Sequence, residues 1–332
     1  MNSKTLLPLV GLALALAVAG CKKAEKLSQT STFQPPAGPM TLAIKWTPGE
    51  SVVQRMDMKT LTDISMPGQN QTMQQDMSMG QKYSLKVVKE TPGGGHEVEM
   101  EFLSARMAME MGGRKLMDYD STQAAGDEKT NPVAGFFGKI VGSKIKYELD
   151  ASNNVTAIQG VTELTDKLMK GQPAMVAAPL KSMFGEGYFK QLMDSSKFLP
   201  DHPVAPGDSW PVQLKYPMDM LGTLVLDYTF HFQGWEKHGP RECARLEFSG
   251  TVKTETGTAT KSLGLGMEIQ DGTTSGTSWF DPELGLIIDT AVNQEITMVV
   301  TMPNRSRGKS EQPQSVTTKI HQDINIKLDS VK

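Results

Sequence analysis

Residues 224–233 read Leu224-Val225-Leu226-Asp227-Tyr228-Thr229-Phe230-His231-Phe232-Gln233, with an apolar side chain at every even position. After Val225, every odd position in this run is polar. Successive side chains of a β-strand point to opposite faces of its sheet. A period of two therefore predicts a strand with one buried face and one face in water.

The same alternation occurs on both sides of this stretch. It covers residues 52–66, 73–87 and 98–111 in the first half of the chain, and residues 244–252, 288–302 and 316–328 in the second. Within 98–111 the apolar positions move from the even to the odd residues after Phe102. One extra residue in a strand has this effect, so we predict a β-bulge near Phe102–Leu103.

Two short signatures occur in both halves and indicate an internal repeat. Pro48-Gly49-Glu50-Ser51 resembles Pro206-Gly207-Asp208-Ser209, and each precedes a set of predicted strands. Asp150 and Asp281 are each followed, four positions later, by a residue that tolerates positive φ, Asn154 or Gly285. Apolar positions between residues 164 and 193 suggest a helical segment between the halves.

These patterns predict a mainly β (α+β) fold. We expect two tandem curved antiparallel sheets or half-barrels, with a helical segment between them. The predicted boundaries are 1–20 for a leader, 21–40 for a tether, 41–200 for the first β half with its helical insertion and 201–332 for the second β half.

The first 21 residues carry a targeting signal. Lys4 precedes an apolar run from Leu6 to Val18, and Val18-Ala19-Gly20-Cys21 follows. This ending resembles the lipobox of bacterial lipoproteins, which implies that residues 1–20 are removed and that Cys21 is lipidated. An uncleaved membrane span is disfavoured because the run is shorter than the roughly 20 apolar residues a bilayer requires.

The residues after Cys21 refine this expected location. Lys22 and Lys23 follow without the aspartate that retains many Gram-negative lipoproteins in the inner membrane. The resemblance therefore implies the bacterial outer membrane, on its periplasmic side. The polar, proline-containing composition of residues 22–40 predicts a flexible tether, with an end-to-end distance of about 25 Å.

Composition excludes several classes of function. The net charge is −3, which gives no electrostatic reason to expect a nucleic-acid partner. Cys243 is the one cysteine besides Cys21, so no disulfide can form if Cys21 is lipidated, and we predict a buried thiol at Cys243. The five histidines are scattered, and HExxH and Gly-x-Ser-x-Gly motifs are absent. We therefore predict no catalytic residues, no metal ligands, no cofactor and no enzyme activity.

Methionine is the unusual residue, with 22 copies. Met-x-Met spacing places both thioethers on one face of a strand. The candidate ligand-binding residues with this spacing are Met56, Met58, Met77, Met79, Met107, Met109 and Met111. Such a face is open to three interpretations: an ordinary core, a concave surface for a lipid-like or other apolar ligand, or a Cu(I) site. An envelope scaffold that binds protein partners is the alternative to ligand binding.

The chain also resembles an uncharacterised family of secreted bacterial proteins, many of them lipoproteins. The resemblance rests on Gly80-Gln81-Lys82-Tyr83, on Leu149-Asp150 with Asn154-Val155, and on Pro200–Val204 leading into Gly207–Trp210. It covers most of residues 41–330. Because these motifs are turn and strand signatures, the resemblance implies a fold and no activity. The long curved strands also resemble the half-barrels of lipoprotein carriers, by analogy of fold alone.

Overall fold

A computed structural model describes residues 26–65, 72–123, 138–170, 185–193, 197–218, 222–255, 266–302 and 314–332. The predicted leader and Cys21 lie outside these ranges. So do residues 171–184 of the predicted helical segment. None of the helices in the described ranges has the length and apolar character needed to cross a membrane.

Within the described ranges, twelve strands form one antiparallel sheet. Their bounds are β1 (Ser51–Ser65), β2 (Thr72–Thr91), β3 (Gly95–Met111), β4 (Arg114–Asp120), β5 (Lys144–Leu149), β6 (Val155–Gln159), β7 (Ser209–Met218), β8 (Gly222–His238), β9 (Arg241–Glu255), β10 (Gly266–Asp281), β11 (Leu286–Met302) and β12 (Gln314–Val331). The spatial order is β6-β5-β3-β2-β1-β12-β11-β10-β9-β8-β7, and β4 pairs with β3.

The predicted mainly antiparallel β class is confirmed, and the two halves share one continuous sheet. Strands β1, β2, β3, β5 and β6 form one meander, with β4 paired to β3 beyond the β5 pairing, and β7–β12 form another. The two meanders join where β1 pairs with β12, from Val52 opposite Val331 to Ser65 opposite Thr317. This long pairing joins the two predicted curved sheets into one, because β1 and β12 complete each other's hydrogen bonding.

The predicted β-bulge is confirmed at Leu103. Lys82 pairs with Ser104, whereas Tyr83 pairs with Phe102, so Leu103 is the unpaired extra residue. The extra residue lets Phe102 and Ala105 lie on the same buried face, although one is even-numbered and the other odd. Leu103 itself is exposed.

Among the residues that the structure describes, two α-helices lie between the meanders, where a helical segment was predicted. Helix α1 (Val161–Met169) begins after Gly160, whose φ of 93° is in the region that favours glycine. Its buried residues Val161, Leu164, Thr165 and Leu168 recur every three or four positions and form one stripe. Helix α2 (Glu186–Met193) buries Phe189 and Met193.

Each Asp turn connects two paired strands of its meander. Asp150 lies between β5 and β6, and its carboxylate accepts backbone hydrogen bonds from Ser152 and Asn154 at 2.9 and 2.8 Å. Asp281 is the last residue of β10, before the turn to β11, and its carboxylate accepts from the backbone of Glu283 and Leu284 at 2.9 and 3.0 Å. The positive φ falls on Asn153 in the first turn, one position earlier than predicted, and on Gly285 in the second.

The segment predicted to be a flexible tether differs from the prediction in its described part. Residues 26–47, which we call the strap, lie against the sheet. Met40 forms a β-bridge with Val204, and the Lys45 N–H donates to the carbonyl of Gly285 at 2.9 Å. Three polar side chains of this segment have partners far away in sequence: Lys26 pairs with Glu50, and Ser31 and Thr32 donate to Glu283.

A candidate apolar cavity on the inner face

One row of paired residues crosses the sheet and defines what we call its inner face. The row runs Trp210, Phe230, Phe248, Gly276, Val292, Ile324, Met58, Met79, Met107 and Tyr119. It begins with aromatic residues, passes through one glycine and aliphatic residues, and continues through methionines. Ten strands therefore contribute to one apolar surface.

A cavity of about 360 Å³ lies on this face. This is within the range of small-molecule sites. Its lining on and beside the strands is formed by Val52, Gln54, Met56, Tyr83, Leu85, Tyr216, Leu226, Tyr228, Phe230, Phe248, Ser278, Leu286, Ile287, Thr290, Val292, Ile324 and Ile326. Its cover is formed by Ile44 and Trp46 of the strap, by Leu192 and Met193 of α2, and by Phe198.

Hydrogen bonds hold this cover in place. The hydroxyl of buried Tyr147 donates to the carbonyl of Phe189 at 3.1 Å and so fixes α2 over β5. The indole N–H of Trp210 donates to the carbonyl of Phe198 at 3.0 Å. The Phe198 ring lies 5.7 Å from that of Phe230 and 6.0 Å from that of Tyr228. The cover is thus part of the folded core.

The described lining contains no Asp, Glu, Lys, Arg or His. Its polar side chains mostly satisfy one another: Tyr83 donates to Gln54 at 2.9 Å, and Ser278 is 3.0 Å from Thr290. Burial raises the pKa of Tyr228 to about 12, so this phenol is neutral at physiological pH. An ionised group placed here would lose hydration without gaining a charged partner, which favours neutral, apolar ligands.

Of the seven methionines predicted to bind ligand, Met56 lines this cavity. Met58, Met79 and Met107 are successive register partners farther along the inner face, and Met77 pairs with Met109. Met79 and Met107 pack against the hydrophobic core. Met111 pairs with Gln75 near the end of β3. Met58 accepts a hydrogen bond at sulfur from the Gln322 amide, at 2.9 Å.

The aromatic residues of β8 and β9 were part of the sequence pattern but were not predicted as site residues. Tyr228, Phe230 and Phe248 line the cavity, with ring centroids 5.1–6.0 Å apart. The available signal was the aromatic alternation in residues 224–233. This part of the inner face forms a cavity because the strap, α2 and Phe198 cover it, and these segments are distant from β8 and β9 in sequence.

The opposite, outer face is polar. It carries a wider groove of about 860 Å³ whose side chains are mostly hydroxyls and amides, including Thr229, Ser249, Thr251, Ser275 and Asn293. Among the described residues, no three His, Cys, Asp or Glu side chains are grouped as a metal site would require.

Two of the scattered histidines, His231 and His321, lie on this outer surface. Ser209 lies 2.8 Å from His231 in an exposed pair. Glu247, the register partner of His231, is hydrogen-bonded instead to Gln233 and Arg245. His321 pairs with Glu295. Cys243 is fully buried, as predicted, and burial raises the pKa of its thiol to about 12.

Three solved structures resemble the chain at 10–12% sequence identity. Lipovitellin, from a study of its lipid–protein interactions, matches 87% of this chain with a TM-score of 0.44, and the chain spans 26% of its length. A Bacteroides fragilis protein named as exported, with a YmcC-like fold, matches 88% of this chain and 100% of its own at a TM-score of 0.27. A Parabacteroides distasonis protein named as a lipoprotein matches 88% and 99% at 0.26.

No curated protein matches the chain. A family model described as a family of unknown function (DUF6263) matches residues 93–287, which is more than half of the 332 residues. Two of the three motifs behind the resemblance noted in the sequence lie inside this range. The chain therefore belongs to the DUF6263 family.

Proposed function

We propose that this protein is a non-catalytic, lipid-anchored envelope protein that binds a lipid-like or other apolar ligand in the inner-face cavity. The single observation that carries the proposal is a 360 Å³ cavity whose described lining lacks every residue type that is charged at neutral pH. The anchor is Cys21, and the proposed location is the periplasmic side of the outer membrane. These two parts rest on the lipobox-like ending and on Lys22 and Lys23.

The cavity should recognise hydrocarbon length. Burial of one methylene group contributes about 0.8 kcal/mol, which is roughly fourfold in affinity. For a series of n-alkyl methyl esters, the dissociation constant should fall by about this factor per added methylene, and it should level off once the cavity is full. A charged compound of the same length should bind more weakly because its head group must be desolvated.

Adjacent residues of β12 provide a matched test. Ile326 lines the cavity, whereas Asn325 is exposed on the outer face. Ile326→Trp should fill part of the cavity and weaken ester binding at least tenfold, while Asn325→Trp should leave it unchanged. Equal effects of the two variants, or the same affinity at every chain length, would contradict the proposal and favour the envelope scaffold, for which crosslinking in cells should capture a protein partner.

A further inference from the structure

The two ends of the sheet differ in what they carry. One end, which we call the docked end, contains the beginning of β1 and the end of β12. It also contains the turns 92–94, 239–240 and 282–285. The strap lies against this end. The opposite end, which we call the far end, is where Ser65 of β1 pairs with Thr72 of β2.

The beginning of the strap is fastened at the middle of the docked end. Lys26 forms an ion pair with Glu50, which directly precedes β1 and is 7% exposed. The next residue of the chain, Ser51, exchanges backbone hydrogen bonds of 2.9 Å with Lys332 after β12. Lys26 is thus held beside the junction of the two meanders.

A buried charge network holds the following residues. Arg241 and Asp281, which are 3% and 0% exposed, form a two-pronged ion pair, and Arg241 also donates to Glu283 at 2.8 Å. The remaining Arg241 nitrogen donates to the carbonyl of Gln29 at 3.1 Å. The guanidinium therefore joins the strap to the turn 282–285.

Glu283 completes the attachment. Its carboxylate accepts from the Thr32 hydroxyl at 2.7 Å and from the Ser31 hydroxyl at 2.9 Å. These hydrogen bonds, with that of Thr32 the larger cause, and the charge of Arg241 hold the pKa of Glu283 below its usual value of 4.5. The carboxylate is therefore ionised at neutral pH, when the strap needs it as an acceptor.

Docking of the strap leaves little chain between the fold and the proposed anchor. Five residue intervals separate Cys21 from Lys26, and at 3.3–3.6 Å each they span at most about 18 Å. We infer that the docked end of the sheet faces the headgroup layer of the membrane that carries the anchor. This inference rests on the anchoring of Cys21 in the proposed function.

This orientation has a consequence for the cavity. Trp46 belongs to the strap, and Leu286 and Ile287 begin β11 directly after the turn 282–285. These three cavity residues therefore lie toward the membrane. A lipid-like ligand that leaves the bilayer surface would reach the cavity by a shorter path from the docked end than from the far end.

Labels at the two ends of β2 test the orientation. Pro92 is exposed at the docked end and Thr72 is exposed at the far end, and 20 residue intervals of strand place them roughly 60 Å apart. The full lipid-carrying chain, as Pro92→Cys or Thr72→Cys, would be labelled with a donor dye and bound to phosphatidylcholine vesicles with headgroup-linked acceptors. Buried Cys243 should not react at neutral pH, because its thiol pKa is about 12.

Energy transfer should be several-fold higher from residue 92 than from residue 72. Combining Ser31→Ala and Thr32→Ala with Glu283→Gln should release the strap and reduce this difference, whereas Thr30→Ala, at an exposed strap residue, should preserve it. Equal transfer from both positions of vesicle-bound protein would overturn the orientation alone. A chain that does not float with vesicles would contradict the anchor, and the inference with it.

Discussion

The inner face has an aromatic region on β7–β9 and a methionine region on β1–β3, and the two are joined by one register row. In the aromatic region, Phe230 and Phe248 are buried and line the cavity beneath the cover. In the methionine region, Met58, Met79 and Met107 are half-buried. The difference teaches that apolar patterning alone does not make a cavity, because the cavity forms where other segments of the chain cover the sheet.

The largest expected difference between the regions concerns stability. Phe230 is 3% exposed, and its ring is stacked 5.9 Å from Trp210. Phe230→Ala should lower the free energy of unfolding by about 3–5 kcal/mol, because it removes a buried ring and enlarges the cavity that this ring lines. Thr229→Ala, on the exposed side of the same strand, should change it by less than about 0.5 kcal/mol. Urea denaturation of both variants measures this contrast, and similar losses would contradict it.

The second difference concerns the alkaline titration of Tyr228 in the aromatic region. Burial raises its pKa from 10.0 to about 12. Because the raised pKa favours the protonated, folded state, this stabilisation is fully present below pH 10 and is lost as the pH rises through about 12. Ultraviolet absorbance of phenolate, compared between the natural chain and Tyr228→Phe, should show one tyrosine that ionises near pH 12. A phenol at this position that ionises near pH 10 would contradict its burial.

Substitutions in the methionine region should have smaller effects. Met79→Leu and Met107→Leu conserve volume on a half-buried surface and should each cost less than about 1.5 kcal/mol. Ester affinity should be retained, because neither side chain lines the cavity. Isothermal titration with Cu(I) provides the sharpest check: stoichiometric binding that the leucine variants abolish would assign this region to copper instead.

The outer face provides the smallest expected effect. The hydrogen bond from His321 to Glu295 raises the pKa of this exposed histidine above 6.5. The resulting stabilisation is present below pH 6.5 and is lost as the pH rises through the higher folded pKa. NMR titration of Glu295→Gln should show a lower pKa at His321 and little change in stability, since surface pairs contribute little. An unchanged pKa would exclude this pairing in solution.

The strands could be predicted from sequence because period-two alternation is local. The displaced apolar positions after Phe102 were enough to locate the bulge at Leu103. The joining of both halves into one sheet has no local signal, since it depends on pairing of Val52 with Val331. Likewise, the composition of the strap could not show that Thr32 binds Glu283, 251 residues later.

The candidate site was predictable only in part. The alternation placed Met56 on an apolar face, and the structure places it in the cavity. The sequence could not distinguish Met56 from Met58, because both have the same spacing and the same face. Their difference arises from Trp46, Met193 and Phe198, whose positions above the sheet depend on tertiary contacts.

The central claim is that the covered aromatic part of the inner face holds an apolar ligand. Native mass spectrometry of the unlipidated Cys21→Ser chain, produced without its leader and followed by organic extraction, tests this claim most directly. We predict that one molecule of a neutral, apolar compound is bound reproducibly per chain. This compound should be lost in Ile326→Trp but retained in Asn325→Trp. A chain that remains free of ligand after exposure to envelope lipids would contradict the account.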